Sequence, residues 1–97
     1  MIKGVTQEEE NIIKKILIPY EKDFDFYYYG SRVKGNFDKM SDLDILIKGN
    51  KNFPLNKLEL VKILFDNSDL PYVVNFTDFY NIDEKFYNYI KKDLVKV

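Results

Sequence analysis

A chain of 97 residues with 45% hydrophobic content has room for one small domain, residues 1–97, and enough apolar side chains for a core. Its lack of Cys and His excludes disulfides, thiol nucleophiles, imidazole bases and the usual zinc ligand sets, so catalysis must use carboxylates, Lys, Arg, Ser or Tyr. A net charge of −1, from 15 basic and 16 acidic side chains, argues against a grip on long nucleic acid, and with no leader peptide and no long apolar run a cytoplasmic protein off the membrane is expected.

In chain order, Thr6-Gln7-Glu8-Glu9 reads as a capping box that opens a helix. Ile12, Ile13, Ile16, Leu17 and Tyr20 recur at helical spacing, and Pro19 ends the run. Phe24 to Tyr29 is a short aromatic strand closed by Gly30. Its tyrosines read as strand packing rather than base stacking, because the chain is not basic. Ser31 to about Phe37 predicts a short helix or helical turn, and Asp42 to Ile47 a second strand.

Gly49 to Asn52 is a polar loop, and Pro54 suits the first turn of a helix carried by Leu55, Leu58, Val61, Ile63, Leu64 and Phe65. Asn67-Ser68-Asp69 breaks that helix, and Tyr72 to Thr77 is a third strand behind Pro71. A last helix follows with Phe86, Tyr87, Tyr89 and Ile90 as its apolar face, then an edge strand or tail over 94–97. The alternating order predicts an α/β (α+β) domain: a small mixed β-sheet flanked by helices.

The chemistry concentrates between Gly30 and Asp44. On a strand, Leu43, Ile45 and Ile47 share one face, while Asp42, Asp44 and Leu46 share the other. Two carboxylates held side by side repel unless something neutralises them. A pair of hard divalent cations does so, and oxygen donors favour Mg2+ or Mn2+. Exposed strands and loops also carry such pairs, so the Gly-Ser turn ahead of them matters. Gly30 permits a tight turn and close backbone approach to a ligand, and Ser31 offers a hydroxyl and an N–H where anions are favoured. Arg32 and Lys34 add positive charge within reach of a triphosphate. An ordinary strand-to-helix turn is the plainer reading of Gly30-Ser31 alone.

Gly-Ser, a spacer, then Asp-x-Asp resembles the signature of the DNA polymerase beta superfamily of nucleotidyltransferases, and the short spacer and chain resemble its minimal nucleotidyltransferase branch. The order of elements extends the resemblance over nearly the whole chain. It implies the polymerase-beta-like nucleotidyltransferase fold, with Gly30 and Ser31 holding the β- and γ-phosphates of ATP. It also implies that Asp42 and Asp44 bind Mg2+, two ions being expected with the nucleotide, and that Arg32 and Lys34 are weaker phosphate contacts. Members of that branch pair with HEPN-domain proteins in toxin–antitoxin modules and adenylylate a tyrosine of the toxin. The implied function is therefore an antitoxin that transfers AMP from MgATP to its HEPN toxin.

The resemblance departs at one position. The family places a third carboxylate on the next strand, in a pattern like Leu-Pro-Tyr-x-Val-Asp, where this chain reads Leu70-Pro71-Tyr72-Val73-Val74-Asn75. Asn75 keeps a carbonyl oxygen but carries no charge and cannot take a proton. Three readings stay open: a binding module that occludes its partner, an enzyme acting through its remaining groups, or an introduced inactivating change. Asp78 lies on the opposite face of the same strand and could substitute only if the strand ended before it. Transfer to a small-molecule hydroxyl is a further alternative, one that needs a second chain to bind the acceptor.

Overall fold

The computed structural model describes residues 2–97. Its main elements are α1 (Gln7–Leu17), β1 (Phe24–Tyr29), α2 (Ser31–Lys34), β2 (Leu43–Gly49), α3 (Leu55–Asp66), β3 (Val74–Asp78), α4 (Glu84–Ile90) and β4 (Val95–Lys96). Both halves of the predicted capping box form: Thr6 Oγ1 accepts from the Glu9 N–H at 3.2 Å, and Glu9 Oε1 accepts from the Thr6 N–H at 3.0 Å. The helix stops at Leu17, and Pro19 falls in a 3-10 turn over Ile18–Tyr20, where its missing N–H costs nothing.

The four strands form one sheet in the order β3-β2-β1-β4. β1 pairs antiparallel with β2 and β4, and β2 pairs parallel with β3. The mixed sheet flanked by helices is the architecture expected from the sequence. α3 supplies the crossover that a parallel pair requires.

Strand alternation divides the core in two. Phe24, Phe26 and Tyr28 of β1 and Leu43, Ile45 and Ile47 of β2 meet Ile13 and Leu17 of α1 and Val61 and Phe65 of α3. On the other face, Tyr29, Leu46 and Ile90 form a smaller cluster beneath α4. The Asp44 side of β2 is therefore apolar below and polar above, because α4 covers only part of it.

The structure departs from the sequence reading in several ways: α2 ends at Lys34 rather than near Phe37, and β2 runs from Leu43 to Gly49, so that Asp42 stands just ahead of the strand. Of the predicted apolar face of α4, Ile90 is buried with Tyr87 packed beside it, whereas Phe86 and Tyr89 are exposed, Phe86 touching the Tyr29 ring only edge-on. Leu55, Ile63 and Leu64 of α3 likewise point outward, leaving Val61 and Phe65 as its buried residues. β3 begins at Val74 rather than Tyr72, whose side chain is turned to Glu9 and Arg32.

Candidate active site

The register of β1 against β2 sets Tyr29 opposite Asp44, which brings the turn that follows Tyr29 to the aspartates. Gly30 has φ 88°, a region closed to most side chains. A Cβ there would also sit 2.5 Å from Asp44 Oδ2, so the position needs glycine twice over. Ser31 opens α2, whose single turn closes with Val33 and Lys34 donating to the Gly30 carbonyl at 3.1 Å. Gly35, at φ 93°, stops it.

The parallel register of β2 against β3 sets Asp44 beside Asn75. Asn75 Nδ2 donates to Asp42 Oδ2 at 2.9 Å and to Asp44 Oδ1 at 3.4 Å. One amide nitrogen thus bridges the two carboxylates. Asp42 is exposed and Asp44 half-buried. Burial, helped by the Asp42 charge, pushes Asp44 above the ordinary carboxylate value, while the hydrogen bond from Asn75 acts the other way. Among the described residues no three acidic side chains converge.

Asp78 does not replace the missing carboxylate. Its Oδ2 accepts from the Phe53 N–H at 2.7 Å, and its Oδ1 caps the turn after β3 through the Tyr80 N–H at 3.0 Å.

The two basic candidates part company. Lys34 stays near the turn, its Nζ 3.7 Å from Asp93 Oδ2 and 3.4 Å from the Tyr89 hydroxyl. With Ser31, Phe86, Tyr89 and Asp93 it lines a cleft of about 250 Å³. Arg32 corrects the expectation of a phosphate contact. It is buried, and its guanidinium donates to the carbonyls of Gly4 and Ser41 at 2.6 and 2.9 Å. Donors already committed to backbone carbonyls are not free for a triphosphate. A larger hollow of about 390 Å³, between α1 and the β1–β4 edge, contains none of the candidate residues.

Phe86 and Tyr89 escaped the sequence reading as cleft residues because their spacing fits a packed helix face equally well, and Asp93, in the 3-10 turn after α4, carries no local signal. The hydrogen bond of 2.7 Å between the Tyr29 and Thr77 hydroxyls, which ties β1 to β3 beside the aspartates, has no local sequence signal either.

As a donor set, the Asp42 and Asp44 carboxylates are hard oxygens of the kind that suits Mg2+ or Mn2+, while the Asn75 amide presents its nitrogen to both and would have to turn over to add its carbonyl. The cradle also fits: the space a Cβ would fill at Gly30 is taken by the Asp44 carboxylate, which keeps that group beside the turn. Two unlike supports thus meet at one end of the sheet, a glycine-serine turn suited to an anion and a carboxylate pair suited to cations.

Two comparisons bear on this arrangement. The pattern described as a nucleotidyltransferase domain matches residues 10–97. A protein of Haemophilus influenzae named probable protein adenylyltransferase MntA is 34% identical over 93 residues, a match that spans 96% of this chain and 82% of the relative.

Proposed function

The chain belongs to the nucleotidyltransferase domain family, and from that premise we propose that it transfers AMP from MgATP to a tyrosine of a HEPN-domain toxin and so neutralises it. The observation that carries this reading is the convergence of Asp42, Asp44 and Asn75 beside the Gly30-Ser31 turn. Asp42 and Asp44, joined by the Asn75 carbonyl once that amide turns over, would hold Mg2+, with Gly30, Ser31 and Lys34 toward the phosphates. When bound, the metal neutralises phosphate charge and favours loss of the acceptor proton.

The transfer balances simply. A phenol oxygen bonds to the α-phosphorus, the bond to the bridging oxygen breaks, and pyrophosphate leaves with that electron pair. The phenolic proton would go to water, since Asn75 has no basic atom for it and the Asp42 and Asp44 carboxylates would be engaged with the metal. Incubation with labelled ATP, Mg2+ and the HEPN protein is expected to label the HEPN protein. The Asn75→Asp variant is expected to label it faster. No label with either form would sink the reading.

One observation favours a second reading. Asn75 Nδ2 donates to both carboxylates, an arrangement that suits a binding module holding no metal. Occlusion predicts a tight complex and toxin inhibition without ATP. If Asp42→Ala abolished neutralisation while the complex survived, occlusion would be untenable.

A further inference from the structure

Arg32 is the second residue of α2, immediately after Ser31, and only 4% of it is exposed. Its Nε donates to the Ser41 carbonyl at 2.9 Å and its Nη1 to the Gly4 carbonyl at 2.6 Å. Nη2 reaches the Lys39 and Asp38 carbonyls at 3.2 and 3.4 Å. The guanidinium lies between two rings, 3.9 Å from the centre of Tyr72 and 5.1 Å from that of Phe37. Among the described residues no carboxylate forms an ion pair with it.

A buried cation without an anion is a costly way to fill space, and an apolar side chain would do that at less cost. What the guanidinium supplies is a planar fork of donors that a Lys or Met cannot reproduce. The segments it joins give that fork its purpose. Ser31 precedes Arg32 in the turn, and the Ser41 carbonyl belongs to the peptide that leads into Asp42. The intervening loop folds on itself, with Asp38 Oδ1 accepting from the Met40 N–H at 2.8 Å and Ser41 Oγ from the Asp38 N–H at 3.0 Å. Gly4 lies so close that a Cβ on it would overlap Arg32 Cβ. Tyr72, which stacks on the fork, is itself held by Glu9 Oε1 at 3.1 Å.

We propose that Arg32 is a positioning residue: it fixes the Asp42–Asp44 pair relative to the Gly30-Ser31 turn by clamping the loop between them. The proposal rests on the reading of those aspartates as metal ligands. It assigns Arg32 no contact with nucleotide or metal.

The test is Mn2+ binding, followed by electron paramagnetic resonance in the presence of the non-transferable analogue α,β-methylene-ATP. It compares the native chain with Arg32→Lys, well below both melting temperatures, so that every molecule counted is folded. Positioning predicts that Arg32→Lys weakens Mn2+ by about 10-fold to 100-fold, as loss of a residue supporting metal ligands does. A role in stability alone predicts a lower melting temperature with Mn2+ affinity unchanged, and that result would overturn the proposal. Should Arg32→Lys not fold, Tyr72→Leu loosens the fork while leaving every carbonyl in place. It should weaken Mn2+ in the same direction, whereas Tyr72→Phe, which keeps the ring, should not; equal affinity in native and Tyr72→Leu chains also overturns the proposal. If the native chain itself fails to bind Mn2+ with the analogue, the metal-ligand reading falls and the proposal with it.

Discussion

Gly30 and Asp44 illustrate how closely single positions are coupled at this end of the sheet. Gly30→Ala combines a disfavoured positive φ with a contact on the Asp44 carboxylate. The variant is expected to lose about 1–3 kcal/mol of stability and most of its Mn2+ affinity. A melt and a Mn2+ titration check both. Asp44→Asn should go the other way in stability. Because burial raises the folded value of Asp44 above the unfolded 3.8, the folded chain holds this proton more tightly. The resulting penalty is absent below the unfolded value and grows as pH rises through the folded one. Asp44→Asn should therefore melt higher at pH 7, and the gain should vanish in acid. A melt series against pH reads this directly; a lower melting point at pH 7 would contradict it. The Asp-x-Asp pair and the Gly-Ser turn were legible in the sequence because each is a local pattern. The burial of Arg32 was not, since its partners Gly4 and Ser41 approach it only through tertiary packing.

Among the elements, α1 and β1 are joined by a buried polar contact. The Tyr28 hydroxyl, on a fully buried side chain, donates to Glu10 Oε2 at 2.6 Å. Lys14 Nζ stands 3.5 Å from the other oxygen of the same carboxylate. Tyr28→Phe removes the donor and leaves Glu10 buried without it. The expected cost is about 1.5–3 kcal/mol, measurable by urea unfolding, and Glu10→Gln in the same background should recover part of it. α1 was readable from its cap and its period because both signals agree with its packing. α4 was misread because its apolar residues exceed the sheet surface available to it. Ile90 and Tyr87 take that surface, and Phe86 and Tyr89 turn toward the cleft instead. The order of strands in the sheet was not legible at all, since period-two alternation names a face but no neighbour.

Over the whole molecule, the shortest dimension is 19 Å, enough for the sheet, one full helical layer and part of another. That incomplete layer leaves Asp42, just ahead of β2, exposed. Three phenols, Tyr28, Tyr29 and Tyr72, are all raised above the ordinary 10.0, chiefly by burial. Above pH 10 the unfolded chain releases protons that the folded chain keeps, so stability must fall as pH rises, by up to about 1.4 kcal/mol per pH unit for each such tyrosine. Phenolate absorbance and circular dichroism recorded in one alkaline titration should show these three ionising only as the fold is lost. Complete ionisation before any loss of dichroism would contradict that. The strand pairings also set an order of assembly. Bringing Tyr29 to Asp44 closes a short stretch of chain, whereas bringing Asp44 to Asn75 closes roughly twice as much and waits on the α3 crossover. The glycine-serine turn and the aspartates thus belong to an early-forming hairpin. Asn75, on an edge strand, is therefore expected to join the site after the aspartates and to leave it before them, which amide hydrogen exchange would show as weaker protection in β3 than in the β1–β2 pair.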